Sequence, residues 1–226
     1  MDFAYTPEQE ALRDEVRQFI EDNVTSQIIH EIEESGIRNR GPQTRDLYKK
    51  IGDKGWIGIS WPKAYGGQDG SRIDQYIVEE EFSRIGITVG GAGSGAPALL
   101  AAGTEEQKQF FLPGLIRGEI VFALGFTEPQ AGADLAGLQC RAVRDGDDFV
   151  INGQKMYTTA AHYGTHVYLM ARTDPDAPRH KGITIFLVPI DLPGITVRPL
   201  WTIQNAPTAP PRTTYGDRRT SLCNTF

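Results

Sequence analysis

Near residue 118 the spacing of apolar residues in this chain switches from helical to strand-like, which requires two differently built halves. Before the switch the sequence writes helix starts. Thr6, Pro7 and Gln9 spell an N-cap, a first-turn proline and a capping-box partner, and Leu12, Val16, Phe19 and Ile20 follow as one apolar stripe. A second helix is expected from about Thr44, with Leu47 and Ile51 one turn apart and Gly55 ending it. The aromatic and glycine-rich stretch 56–67 reads as an ordered loop. Ser71 with Asp74 opens a third helix, on which Ile73, Ile77 and Phe82 or Ile85 are expected inward, with Glu79, Glu80, Glu81 and Arg84 in water. Thr104 with Gln107 opens a fourth, carrying Phe110, Phe111, Leu112, Leu115 and Ile116, and Gly118 stops it. After residue 118, β-branched runs alternate with turn signals at 121–126, 138–144, 149–152, 167–172, 182–188 and 194–200, and Asp145-Gly146 marks a hairpin. The expected fold class is therefore α+β, with a helical domain over 1–119 followed by an antiparallel β-barrel-like or sandwich domain over 120–226. The proline-bearing tail from Trp201 reads as a loop whose closing strand is short or missing.

Charge and cysteine content exclude several classes of function. With 29 acidic against 23 basic residues the net charge is −6, so no electrostatic drive toward nucleic acid or anionic lipid is expected. Neither a membrane-spanning run nor a leader is legible, and the reading is cytoplasmic. Cys140 and Cys223 stand without metal-ligand spacing and read as buried or free thiols. His162 and His166 fall where a loop enters a strand, so no metal site is expected.

Three segments could carry chemistry. Gly91-x-Gly93-x-x-Ala96 imitates a dinucleotide fingerprint, but its following helix is short and no parallel strand returns, which favours a glycine-rich bend. The run FTEPQAGAD breaks a strand at Thr127-Glu128-Pro129. Ala131, Gly132 and Ala133 would then let a flat ligand approach the backbone, and a Thr hydroxyl there could meet a polar ring edge; a capped tight turn explains the same residues. The run NGQKMYTT also ends a strand in small and hydroxylated residues. Tyr157 could stack on a flat ligand there, and an extended chain puts Thr159, not Thr158, on its side. A half-buried Tyr at a strand edge is the rival explanation.

Taken together, GTEEQKQFFLPGLIRGE, FTEPQAGAD and NGQKMYTT, with the opening TPEQEALRDEVRQF and the loop WPKAYGG, resemble the acyl-CoA dehydrogenase family over residues 3–200. The resemblance implies FAD as cofactor and an acyl-CoA thioester as substrate. It implies that Leu124, Phe126 and Thr127 lie along the flavin, with Thr127 hydrogen-bonding its pyrimidine edge. It also implies that Tyr157 stacks on the flavin face away from substrate, that Thr159 reaches the N5 region, and that Ala133 sits in the substrate-binding loop. The chain departs from the family where Phe126 replaces an aliphatic residue and where Ala133 replaces a Ser or Thr that contacts CoA; a neutral hydrogen bond of that kind contributes about 0.5–1.5 kcal/mol.

Relatives continue into a C-terminal four-helix domain that supplies much of the FAD surface and, as a rule, the glutamate base. The resemblance therefore implies a truncated or incomplete dehydrogenase subunit, inactive alone, with no catalytic residue of its own. An electron acceptor such as an electron-transfer flavoprotein and homo- or hetero-oligomerisation are implied as well. The alternatives are a non-catalytic assembly partner of a full-length dehydrogenase, or a related flavin oxidase or monooxygenase. The small residues from Gly90 to Ala98 would leave space, which points to a bulky acyl group as the expectation.

Overall fold

A computed structural model describes residues 4–35, 41–89, 95–199 and 218–222. The turn at Gly91 and Gly93, the tail from Trp201 to residue 217, and Cys223 lie outside them. The chain divides into two compact units, 1–120 and 121–226.

The first unit is built from α1 (Pro7–Asn23), α2 (Ser26–Ser35), α3 (Pro42–Asp53), α4 (Arg72–Ser83), α5 (Gly95–Ala102) and α6 (Glu105–Ile116). The capping boxes read from Thr6, Ser71 and Thr104 are all formed, each satisfying amides that the first helical turn leaves without partners. Gly55 and Gly118 take left-handed backbones (φ 70° and 68°) where α3 and α6 end, as the stop signals required. Two single helical turns, Trp56–Gly58 and Lys63–Tyr65, shape the expected loop. The α1 stripe buries Val16 and Phe19, and Phe19, Trp56 and Phe82 meet edge to face with centroids 5.1–6.3 Å apart. Helix α2 had no counterpart among the expected helices.

Two expectations for α4 fail. Ile73 is 50 % exposed, and Glu81 is buried at 5 % exposure rather than solvated. The cause lies on another element, because α1 crosses α4 with Arg13 and Arg17 over that position. Arg13 Nε donates to Glu81 Oε1 at 2.8 Å, while Arg17 donates to both carboxylate oxygens at 3.0 and 3.1 Å. Burial opposes ionisation of Glu81, but the hydrogen bonds from Arg17 and Arg13 and the attraction of Arg17 and Arg84 outweigh it, holding the carboxyl below its ordinary value.

The second unit contains β1 (Phe122–Gly125), β2 (Arg141–Asp145), β3 (Asp148–Thr158), β4 (His166–Arg172), β5 (Ile183–Pro189), β6 (Ile195–Pro199) and β7 (Arg218–Leu222). The strand order is β1-β4-β2-β3-β7-β6, with β5 also paired to β4. The hairpin forms as read, with Asp145 opposite Asp148 and Gly146 at φ 63°. The sheet is mixed, however, not wholly antiparallel. β1 runs parallel to β4 over Phe122–Gly125, and β2 meets β4 in the same sense at Arg141 and Arg172. Since β5 lines β4 along its whole length, β1 and β2 share β4's remaining edge, end to end. A parallel partner needs a crossover, and the β2–β3 hairpin supplies it. The tail strand exists and is short: β7 inserts between β3 and β6. No helix among the described residues is long and apolar enough to cross a membrane.

The depressed Glu81 carboxyl makes the helical unit acid-sensitive. A group held below its ordinary value of 4.5 contributes its full stability above that value and loses it as pH falls through the folded-state value. Urea midpoints measured by helix circular dichroism should fall on acidification below about pH 4.5, and the Glu81→Gln variant, weaker at neutral pH, should show a flatter acid limb. Parallel acid limbs would remove Glu81 from this role.

Candidate functional site

Because β1 and β2 lie along one edge of β4, residues 126–140 leave the sheet at Gly125 and rejoin it at Arg141. The excursion begins with a tight turn in which the amide of Glu128 donates to Ala131 O (2.8 Å) and that of Ala131 to Glu128 O (3.2 Å), with Pro129 inside it. The Glu128 side chain then turns inward. Its Oε2 accepts the Gln139 amide at 2.6 Å and Gln130 Nε2 at 2.8 Å, and its Oε1 accepts the Cys140 amide at 2.9 Å. One carboxylate thus ties the entrance of the excursion to its exit.

Its counter-ion is Lys155 of β3. Lys155 Nζ donates to Glu128 Oε1 at 2.7 Å and to Phe126 O at 3.2 Å, with the two side chains 0 and 1 % exposed. The next amide, of Met156, donates to Thr127 O at 2.8 Å. Thr127 is therefore held on β3 by contacts at residues 126, 127 and 128, beside the position where Tyr157 emerges.

Tyr157 is 52 % exposed and has a left-handed backbone, φ 54°, unusual for an aromatic residue. The Thr159 amide donates to Tyr157 O at 2.9 Å, closing the turn, and the β3–β7 register slips between Lys155 and Thr158. This overturns the extended-chain argument for choosing Thr159, because the alternation does not continue through Tyr157. Burial separates the two threonines instead. Thr158 is fully buried, and among the described residues its hydroxyl has no hydrogen-bond partner, while Thr159 is half-buried.

Leu124 and Phe126 are half-buried, and the Phe126 ring packs at 5.6 Å from that of Tyr168, which accounts for an aromatic residue there. Ala131 is buried, whereas Gly132 and Ala133 are exposed, with open space where a Gly132 side chain would stand. The far half of the excursion is held by Arg172, which donates to the carbonyls of Ala136 (2.7 Å), Leu138 (3.3 Å) and Arg179 (3.0 Å). The structure thus brings Thr127 beside Tyr157 and puts Ala133 on a loop closed at the same base.

An outward aromatic face beside a threonine at a strand end, next to an open small-residue loop, suits a flat heterocycle with polar edges. Lys155 and Glu128 are the residues that sequence reasoning missed. A signal existed: by period two Lys155 shares a face with buried Ile151, and a lysine there requires a carboxylate. Among the described residues no group of three His, Cys, Asp or Glu side chains could hold a metal ion.

Two family profiles match the chain. "Acyl-CoA dehydrogenase, N-terminal domain" covers residues 6–119, and "Acyl-CoA dehydrogenase, middle domain" covers residues 123–214. Acyl-CoA dehydrogenase FadE26 of Mycobacterium tuberculosis is 39 % identical over 99 % of this chain and 57 % of its own length. Among solved structures, one titled "Tcur3481-Tcur3483 steroid ACAD" superposes with a TM-score of 0.83 at 38 % identity, covering 100 % of this chain and 57 % of that one. The ChsE4-ChsE5 complex from Mycobacterium tuberculosis superposes with a TM-score of 0.85 at 37 % identity, over 99 % of this chain and 55 % of that one. The chain thus spans a little over half the length of these relatives.

The Lys155–Glu128 pair is a stability test in itself. Removing one partner of a buried pair leaves an uncompensated charge, so Lys155→Met should cost about 3–5 kcal/mol in urea unfolding, and adding Glu128→Gln should recover much of that loss. Equal stabilities for the single and double variants would show that the carboxylate left behind carries no penalty of its own.

Proposed function

This chain belongs to the acyl-CoA dehydrogenase family, and from that premise we propose that its second unit carries the flavin-facing part of an FAD site in an α,β-dehydrogenase of acyl-CoA thioesters. The observation that carries this reading is the 2.8 Å hydrogen bond from the Met156 amide to Thr127 O, which sets the two strand ends side by side with Tyr157 turned outward. Thr127 offers its hydroxyl and backbone to the pyrimidine edge of the ring. Tyr157 covers one ring face, Thr159 addresses the N5 region, and Leu124 and Phe126 line the approach. Ala133, on the exposed loop, faces the CoA portion of the substrate without the hydroxyl that relatives use.

FAD, when bound, accepts the β-hydride while a carboxylate removes the α-proton. Glu128 does not serve as that base. It is buried, paired with Lys155, and committed to the amides of Gln139 and Cys140. The substrate class we propose is a CoA thioester with a bulky polycyclic acyl group, in an assembly of two different chains, supported by the steroid ACAD and the ChsE4-ChsE5 complex that this chain resembles. An electron-transfer flavoprotein is the proposed acceptor.

Tyr157 separates this function from folding. Asn tolerates the left-handed conformation, so Tyr157→Asn should leave urea stability unchanged or raise it by up to about 1 kcal/mol. The same variant should weaken FAD binding at least about tenfold, equivalent to about 1.4 kcal/mol, in absorbance titrations of the full chain. Unchanged affinity would remove Tyr157 from the site. Ala133→Ser should tighten CoA thioester binding by about 0.5–1.5 kcal/mol in calorimetric titration; no gain would place the loop away from CoA.

A further inference from the structure

The hydrogen bonds around Lys155 and Glu128 all fall on the two ends of one excursion. Lys155 Nζ reaches Phe126 O, the Glu128 carboxylate reaches the amides of Gln139 and Cys140 and the Gln130 side chain, and the Met156 amide takes Thr127 O. Two apolar side chains of similar volume would fill this space and are frequently as stable as a buried ion pair. They would, however, take the side-chain partners from the buried Cys140 amide, and from the partly buried Phe126 carbonyl and Gln139 amide. Beside Arg172, which holds the far half, the two charges therefore fix the backbone at the ends of the excursion, and their contacts bracket both Thr127 and the loop that bears Gly132 and Ala133.

We infer that Lys155 and Glu128 are positioning residues that couple two ligand-binding segments: one buried pair holds Thr127 on β3 and closes the base of the Ala133 loop, so both keep one spacing. What the two segments bind rests on the flavin and acyl-CoA reading above. That they are tied together rests on the hydrogen bonds alone. Neither residue touches the reacting atoms in this assignment.

The test compares three forms of the full chain. These are wild type, Lys155→Met combined with Glu128→Gln, and Ile151→Ala. The double variant removes the ammonium without stranding a buried charge, so it should fold, which circular dichroism checks. Ile151→Ala truncates the buried core of β3 outside these contacts and controls for lost stability. Amide hydrogen exchange, followed by mass spectrometry, should speed up at least about tenfold in peptides covering 126–140 and 153–158 of the double variant. Exchange in the paired residues of the hairpin, 141–152, should stay as in wild type, and Ile151→Ala should not speed up the excursion. FAD and coenzyme A, titrated separately, should both bind the double variant at least about tenfold more weakly while Ile151→Ala retains wild-type affinity, a separation that loss of stability alone does not produce. Unchanged exchange in the excursion overturns the tie. Faster exchange with both affinities unchanged overturns the positioning role, as does loss of affinity for only one of the two ligands. If wild type binds neither ligand, the functional reading fails, and the exchange comparison still decides whether the pair holds the excursion.

Discussion

An ammonium group with no access to water is the constraint around which the second unit is arranged. Taking Lys155 and Glu128 out of solvent costs several kcal/mol per ion, a cost offset only when the remaining protons and lone pairs find partners. The surrounding backbone supplies them. The carbonyl of Phe126 and the amides of Gln139 and Cys140 converge on the pair because residues 126–140 depart from and return to one edge of β4. The mixed sheet, the tight turn at Pro129 and the proximity of Thr127 to β3 are parts of one solution to that burial.

The first unit meets a similar problem with a different balance. Glu81 is buried, but Arg13 and Arg17, its partners on α1, keep 22 and 41 % of their side chains exposed. Long arginine stems lie along the helix pair while their heads remain partly hydrated, which lowers the desolvation cost and leaves the carboxylate ionised. An aromatic triangle of Phe19, Trp56 and Phe82 supplies the apolar part of the same helix contact.

Local signals in the sequence were legible, and partner choice was not. Thr6, Ser71 and Thr104 announced their helices because a capping box is complete within four residues, and Gly55, Gly118 and Gly146 announced chain reversals because left-handed backbone favours glycine. Glu81 was misread because the arginines that bury it lie more than sixty residues away. For the same reason, no pattern inside β1 tells that its neighbour is β4 in parallel, or that residues beyond a long tail would slot between β3 and β6. Thr127 and Tyr157 were singled out through their motifs, but Tyr157's backbone was assumed extended, and its left-handed turn beside a register slip was invisible to a period-two count.

Cys140 stands where the excursion rejoins the sheet, its amide on Glu128 and its side chain so close to Gly153 that a Cβ there would meet its sulfur at 2.5 Å. Burial, with a smaller contribution from the Glu128 charge and against the pull of Lys155, pushes its thiol up to about 11. At neutral pH the sulfur is therefore protonated and shielded, and little thiolate is available to attack peroxide or an electrophilic reagent. Alkylation at this one atom is therefore slow while the sulfur stays enclosed, and its rate would report how accessible the joint makes it.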